Sequence, residues 1–189
     1  MVGYYSEEEL KQIGLKSFGD NVLISKKTSI YTPELITIGN HVRIDDYCFL
    51  VGNIDIGNYI HIAPYASIHG TGGGSVTMHD YSGLGSYSVI YASGDDFSGT
   101  YIANSMVDLK FRRIVSCSVV LEKFALATIK CVLLPGAYMA EGTVLGSMSV
   151  LSRKTEPWWI YSGNPCKKLI KRKEKSIELE KEFQDSILK

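Results

Sequence analysis

A period of six residues constrains this chain more than any other feature. In ITIGNHVRIDDYCFLVGNIDIGNYIHIAPYASI, residues 36–68, Ile38, Ile44, Leu50, Ile56, Ile62 and Ile68 stand six apart without a break. Two places before each is another apolar or small residue: Ile36, Val42, Cys48, Ile54, Ile60 and Ala66. Six matches neither the 3.6 residues of a helical turn nor the two-residue alternation of a long strand. It fits a solenoid of short strand-and-turn pieces, each too small to bury its own apolar face without the coil above and below. Three pieces make a triangular turn of about eighteen residues, and turns stack at about 4.8 Å, the ordinary strand spacing. The ladder residue points to the axis, and the residue two places earlier fills a corner.

The register begins at Ile24 and Ile30, slips by two residues, and runs from Ile38 to Ile68. TGGGS at 71–75 interrupts it, and it returns at Met78, Leu84 and Ile90. A second run covers Leu121, Ala127, Leu133, Met139, Leu145 and Leu151, preceded at two places by Val119, Ala125, Cys131, Ala137, Thr143 and Ser149. Between them ASGDDFSGTYIANSMVDLKFRR, 92–113, has no period and predicts a loop extruded from the coil. A loop of that length inside a compact domain is usually functional.

The ends follow other rules. Ser6 with Glu9 three residues on forms a capping-box pattern, Leu10 and Ile13 an apolar edge, and Gly14 a stop. A short helix within residues 1–19 is therefore expected to close the first coil. The solenoid is expected over 20–165. From Lys167 onward, Leu169, Ile170, Ile177, Phe183 and Ile187 form a rough helical stripe in a charged segment, which predicts a C-terminal helix over 166–189 with a solvated charged face.

Composition excludes several classes. A length of 189 residues suits one domain, and 45% apolar residues suffice for a core. The 20 basic and 20 acidic residues cancel, so no global charge calls for nucleic acid or a membrane surface. No apolar run of transmembrane length occurs, and MVGYYSEEELKQ lacks the basic start and apolar stretch of a signal peptide. Cys48, Cys117, Cys131 and Cys166 have no CxxC spacing; with Cys48 and Cys131 on the ladder, they read as core thiols in a reducing cytoplasm.

The repeated [LIV]-x-x-x-x-x pattern, LLPGAYMAEGTVLGSMSV at 133–150 and PWWIYSGNPCKKLIKR at 157–172 resemble the hexapeptide-repeat acyltransferases. The resemblance covers roughly residues 20–172. Its most specific part is Gly163-Asn164-Pro165-Cys166-Lys167, similar to the family's G-N-P-A-K ending. It implies an all-β solenoid, the left-handed parallel β-helix, and a homotrimer using acetyl-CoA or another acyl-CoA as co-substrate. The order of parts looks closest to galactoside O-acetyltransferase-like enzymes and to N-acyltransferases of nucleotide-linked amino sugars in surface-polysaccharide (lipopolysaccharide or O-antigen) synthesis.

Acyl transfer from a thioester needs a base for the acceptor proton, a donor for the oxyanion, and two substrates held face to face. Many family O-acetyltransferases carry a His at the start of the extruded loop, in a pattern like IYTATHP. This chain has IYASGDD, with Asp95 at that place and Asp96 next. A carboxylate suits an amine acceptor, which at neutral pH mainly has to shed its extra proton. Asp95 or Asp96 is the expected base, and the sequence does not choose between them. Ser86, ten residues before Asp96, is the expected oxyanion or positioning donor. His61 is a further catalytic candidate, and His61 or His69 is the base of an alternative in which a sugar hydroxyl is acylated. His69, Tyr65, Tyr91 and Glu122 are expected substrate contacts.

The resemblance places CoA on Gly146, Ser147, Gly163, Asn164, Pro165, Lys167 and Lys168, with Arg172 and Lys130 as further phosphate candidates and Trp158 and Trp159 for adenine. The family has small residues where this chain has Thr128, Ile129 and Lys130, a departure at the pantetheine groove. That departure supports a second alternative, a non-catalytic β-helix scaffold. His61 and His69 lack the spacing of the zinc-binding relatives, so no metal is expected.

Overall fold

The computed structural model describes residues 3–187. Short parallel strands stack into three sheets, one for each face of a triangular coil. The first face carries Ser17–Phe18, Ile36–Ile38, Ile54–Ile56, Val76–Met78, Val119–Leu121 and Tyr138–Met139. The second runs from Leu23–Ile24 through His61–Ile62 and Gly83–Leu84 to Trp159–Ser162. The third runs from Ser29–Tyr31 through Phe49–Gly52, Ser67–Gly70 and Val89–Tyr91 to Val150–Leu151.

The strand register reproduces the six-residue ladder. Ile38, Ile56, Met78, Leu121 and Met139 stack on the first face. Ile24, Ile44, Ile62, Leu84, Ala127 and Leu145 stack on the second. Ile30, Leu50, Ile68, Ile90, Leu133 and Leu151 stack on the third. All but the partly buried Ile30 are at most 2% exposed, so each coil covers the apolar floor of the next.

Two corners are built by residues with left-handed backbone. His41, Tyr59, Tyr81, Phe124 and Trp158 run down one edge, and Tyr47, Tyr65, Tyr87, Lys130 and Met148 down the next, all with φ between 56° and 63°. That conformation costs an ordinary L-residue about 1–2 kcal/mol. Ring stacking offsets part of it: Tyr47–Tyr65 and Tyr65–Tyr87 centroids lie 5.0 and 4.7 Å apart, and Tyr59–Tyr81 4.9 Å. Such pairs contribute about 0.5–1.5 kcal/mol each.

The interruptions have structural counterparts. The two-residue slip is taken up by the 3-10 turn Pro33–Leu35. The extruded loop leaves the third face on an antiparallel stem, Ser93–Asp95 against Ile114–Ser116. Helix α1, Glu7–Ile13, has both hydrogen bonds of the Ser6–Glu9 capping box, buries Leu10, and ends at Gly14 with φ 83°.

The C-terminal expectation needs correction. Lys167–Lys171 is a strand antiparallel to Trp159–Ser162, and helix α2 begins only at Ser176 and ends at Ile187. Backbone pairing with the last coil outweighs a helical stripe of modest apolar content. Helix α2 lies along the first edge, where the Gln184 amide donates to the Tyr81 hydroxyl at 2.6 Å and Phe183 meets Tyr59 edge-on. Cys48, Cys131 and Cys166 are buried, as expected of core thiols, whereas Cys117 is exposed at the foot of the loop, off the ladder. Among the described residues, no helix is long and apolar enough to cross a membrane.

Candidate active site

The extruded stem and the third face enclose a cleft of about 700 Å³. Tyr91, Phe97, Val115, Leu134 and Pro135 give it apolar walls; Asp95, Asp96 and Arg113 bring charge. Strand alternation does not separate the two aspartates from the cleft, because the stem ends at Asp95 and the chain turns at Asp96. The Asp96 amide donates to the Arg113 carbonyl at 2.9 Å, one more rung beyond the stem.

The two carboxylates have different surroundings. Asp95 Oδ1 accepts from Arg112 Nε at 3.1 Å and Nη2 at 2.6 Å. Asp96 Oδ1 accepts the Ser98 amide at 2.8 Å, and its Oδ2 lies 3.9 Å from the largely exposed Arg113 guanidinium. Hydrogen bonding from Ser98 holds the Asp96 carboxyl below the usual carboxylate range, so it is ionised at neutral pH.

Ser86 sits in the corner turn before the strand Val89–Tyr91, whereas the loop stem leaves after that strand. The two ends are separated by at least a three-residue strand, roughly 10 Å at 3.3 Å per residue. One chain therefore does not bring Ser86 into the cleft of Asp95 and Asp96. Tyr91 lines the cleft directly. His69 lies behind it, stacked on Tyr91 at 4.2 Å and on Phe49 at 5.1 Å. Burial pushes the His69 imidazole pKa down, so it is neutral at pH 7.

The remaining candidates lie elsewhere. His61 is on the second face, its Nε2 2.7 Å from Asp45 Oδ2. Tyr65 is in the middle of a stacked corner column. Glu122 lies away from this cleft: it follows a strand of the first face, accepts from the Tyr138 hydroxyl at 2.5 Å and lies 3.8 Å from His79. A side chain leaving the first face is directed away from the third.

The residues expected to meet CoA lie on the last coils and on the strand that follows them. Gly146 and Ser147 form a corner, with Ser147 Oγ 3.2 Å from Thr128 Oγ1. Gly163, Asn164 and Pro165 make the turn onto the last strand, through a cis Asn164–Pro165 bond, and the Gly163 amide donates to Ser149 Oγ at 3.0 Å. A side chain at Gly146 would approach Ser162 Oγ at 2.9 Å, so the small residue keeps this corner flat. Lys167 is exposed; Lys168 lies over the Trp159 ring at 3.9 Å and pairs with Glu156. Lys130 reaches over the Tyr87 ring. Trp158 is buried and anchors its corner. Arg172 is engaged within the protein through Nη1, which donates to the carbonyls of Phe124 and Gly142 at 3.1 and 2.9 Å. Among the described residues, no group of three or more His, Cys, Asp or Glu is placed to hold a metal ion.

Sequence reasoning missed Arg113, Phe97, Val115, Leu134, Pro135 and Ser152 as part of the cleft, and Arg112 as the partner of Asp95. The only available signal was the pair of arginines closing the unperiodic segment opposite the pair of aspartates opening it.

No protein-family model matches the chain. It is 39% identical over 190 residues to a dTDP-4-amino-4,6-dideoxy-D-glucose acyltransferase from Escherichia coli, covering 99% of this chain and 98% of the relative. It superposes on AntD, an N-acyltransferase from Bacillus cereus solved with dTDP and 3-hydroxybutyryl-CoA, with a TM-score of 0.96, 40% identity and full coverage of both chains. A serine-to-cysteine variant of that enzyme, solved with dTDP-4-amino-4,6-dideoxyglucose and coenzyme A, gives 0.95 at 41% identity, covering 98% of this chain and 99% of AntD. An aspartate-to-alanine variant has also been solved, with dTDP and coenzyme A. A hexapeptide-repeat acetyltransferase from Vibrio cholerae, 15% identical over 87% of this chain and 75% of its own, shares the fold with a TM-score of 0.59.

Proposed function

Since the chain belongs to the hexapeptide-repeat acyltransferases, among the CoA-dependent N-acyltransferases of nucleotide-linked amino sugars, we propose that its acceptor is a dTDP-linked 4-amino-4,6-dideoxyhexose and that Asp96 is the general base. The observation that carries the base assignment is the division of labour between neighbours: Arg112 already occupies Asp95, while Asp96 is ionised at the mouth of an apolar cleft. The spacing adds support. The serine and the aspartate substituted in AntD lie ten residues apart, as Ser86 and Asp96 do here.

The acceptor amine arrives as an ammonium ion and gives one proton to the Asp96 carboxylate. Its lone pair then attacks the thioester carbonyl carbon. The tetrahedral oxyanion collapses, the C–S bond breaks, and the CoA thiolate leaves, taking up the second proton that the attacking nitrogen sheds as it becomes the amide. Ser86 is the proposed donor to the oxyanion or to the acceptor. Because one chain separates Ser86 from the loop, this assignment goes with a homotrimer, in which the loop of one subunit meets the corner of the next. The exposed Phe97 and Met106, 85% and 91% accessible, support such a covered loop. The activated sugar product is proposed to serve a cytoplasmic glycosyltransferase step towards a surface polysaccharide such as an O-antigen. Neither a hydroxyl acceptor nor a non-catalytic scaffold is favoured by any feature of the site.

Asp96→Asn is expected to lower kcat by about 10²–10⁴, the usual worth of a positioned base, with a smaller change in acceptor KM. Steady-state kinetics with acyl-CoA and the dTDP-amino sugar test this. A variant within threefold of wild type would exclude Asp96 as the base.

A further inference from the structure

The guanidinium of Arg112 joins two parts of the loop that are distant in sequence. Nε and Nη2 both donate to Asp95 Oδ1, at 3.1 and 2.6 Å, and Nη1 donates to the Ser105 carbonyl at 3.1 Å. The Arg112 and Asp95 side chains are only 12% and 16% exposed, so the pair is largely withdrawn from solvent screening. Asp95 sits on the last paired rung of the stem, opposite Ile114. Ser105 lies in the outer part of the loop, where regular secondary structure is sparse. The fork thus fixes the stem against the outer loop and neutralises the carboxylate adjacent to Asp96. The charged groups around Asp96 are Asp95 beside it in the chain and Arg112 and Arg113 on the returning limb.

We infer that Arg112 and Asp95 form a positioning pair for the acyl-transfer reaction, holding the loop so that Asp96 alone is left to accept the acceptor's proton. This rests on the assignment of Asp96 as base. Without its cation, Asp95 becomes a second negative charge next to Asp96, and like charges favour protonation. The acid limb of the pH profile then moves up. Lysine cannot replace the fork, because a single ammonium does not hold the planar geometry that engages Asp95 and the Ser105 carbonyl together.

The test compares kcat/KM against pH for wild type, Arg112→Gln, Arg112→Lys, Asp95→Asn/Arg112→Gln and Asp96→Asn, each checked for an unchanged circular dichroism spectrum. Arg112→Gln is expected to lower kcat/KM about tenfold or more at neutral pH and to shift its acid limb upward. Arg112→Lys should recover part of the limb position but not the full rate. The double variant should return the limb to the wild-type position while the rate stays low, since the extra charge is gone and the loop remains untied. An unmoved limb in Arg112→Gln, or the same upward shift in the double variant, overturns the positioning pair. Asp96→Asn separates the two ideas: near-wild-type activity there removes the base assignment, whereas loss of activity there with an unmoved Arg112→Gln limb removes only the pair.

Discussion

Asp45 shows how a single buried carboxylate is held in this coil. It accepts from Arg43 Nε and Nη2, from His61 Nε2 and from the Tyr4 hydroxyl. Burial alone would raise its pKa, but hydrogen bonds from Arg43, His61 and Tyr4 outweigh that and leave it lowered. A folded-state pKa below the unfolded value of about 3.9 means the contribution is complete above that value and lost as pH falls through the lowered one. Asp45→Asn is expected to cost about 1–3 kcal/mol at pH 7. Its melting curve should converge with wild type towards pH 2, and melting temperatures over pH 7 to 2 check this. Gly52 makes a different demand. Its φ is +90°, and a Cβ there would lie 2.1 Å from the Gly70 carbonyl oxygen. Gly52→Ala should therefore cost well over 1 kcal/mol, measured by urea unfolding.

Each short strand is stabilised almost wholly by its neighbours in the stack. Ile62 is fully buried between Ile44 and Leu84 on the second face. Ile62→Ala should lose about 2–5 kcal/mol, the range for a large-to-small core change that leaves a cavity. Helix α2 is attached by fewer contacts, chiefly Gln184 to Tyr81, Phe183 to Tyr59, and Lys123 to Glu180. The capped helix α1 was legible because its start and stop are written in three residues, Ser6, Glu9 and Gly14. The strand Lys167–Lys171 was not, because five residues of KKLIK carry no period, and only the free edge of Trp159–Ser162 makes them pair. The left-handed corner residues were legible in part: aromatic residues recur eighteen apart at Tyr47 and Tyr65 and at His41 and Tyr59. Their stacking into columns needed the coil.

For the whole molecule, ligand binding and assembly are the accessible measurements. A ligand specific for the folded state raises stability by about 2.7 kcal/mol at a hundred times its dissociation constant. Acyl-CoA and a dTDP-linked 4-amino-4,6-dideoxyhexose should each raise the melting temperature, and the two together more than either. The same sugar bearing a 4-hydroxyl should bind without turnover. If the proposed trimer forms, sedimentation velocity reports three copies, and the apolar walls of the cleft and the exposed loop are protected from proteolysis; a monomer in solution would overturn that assembly.

By itself, the sequence determined the coil. Inward positions repeat every six residues because every turn must bury the same face, and this demand is local enough to be written into each repeat. It also determined where the coil is interrupted and that two aspartates open the extruded loop. The tertiary structure decided which outward residues share a site. His61, Glu122 and Ser86 leave the coil on other faces or at the far corner from the loop, while Arg112 returns seventeen residues after Asp95 to occupy it. Outward side chains meet partners a coil or a loop apart, and no repeated burial constrains them, so their company is fixed only when the chain closes on itself.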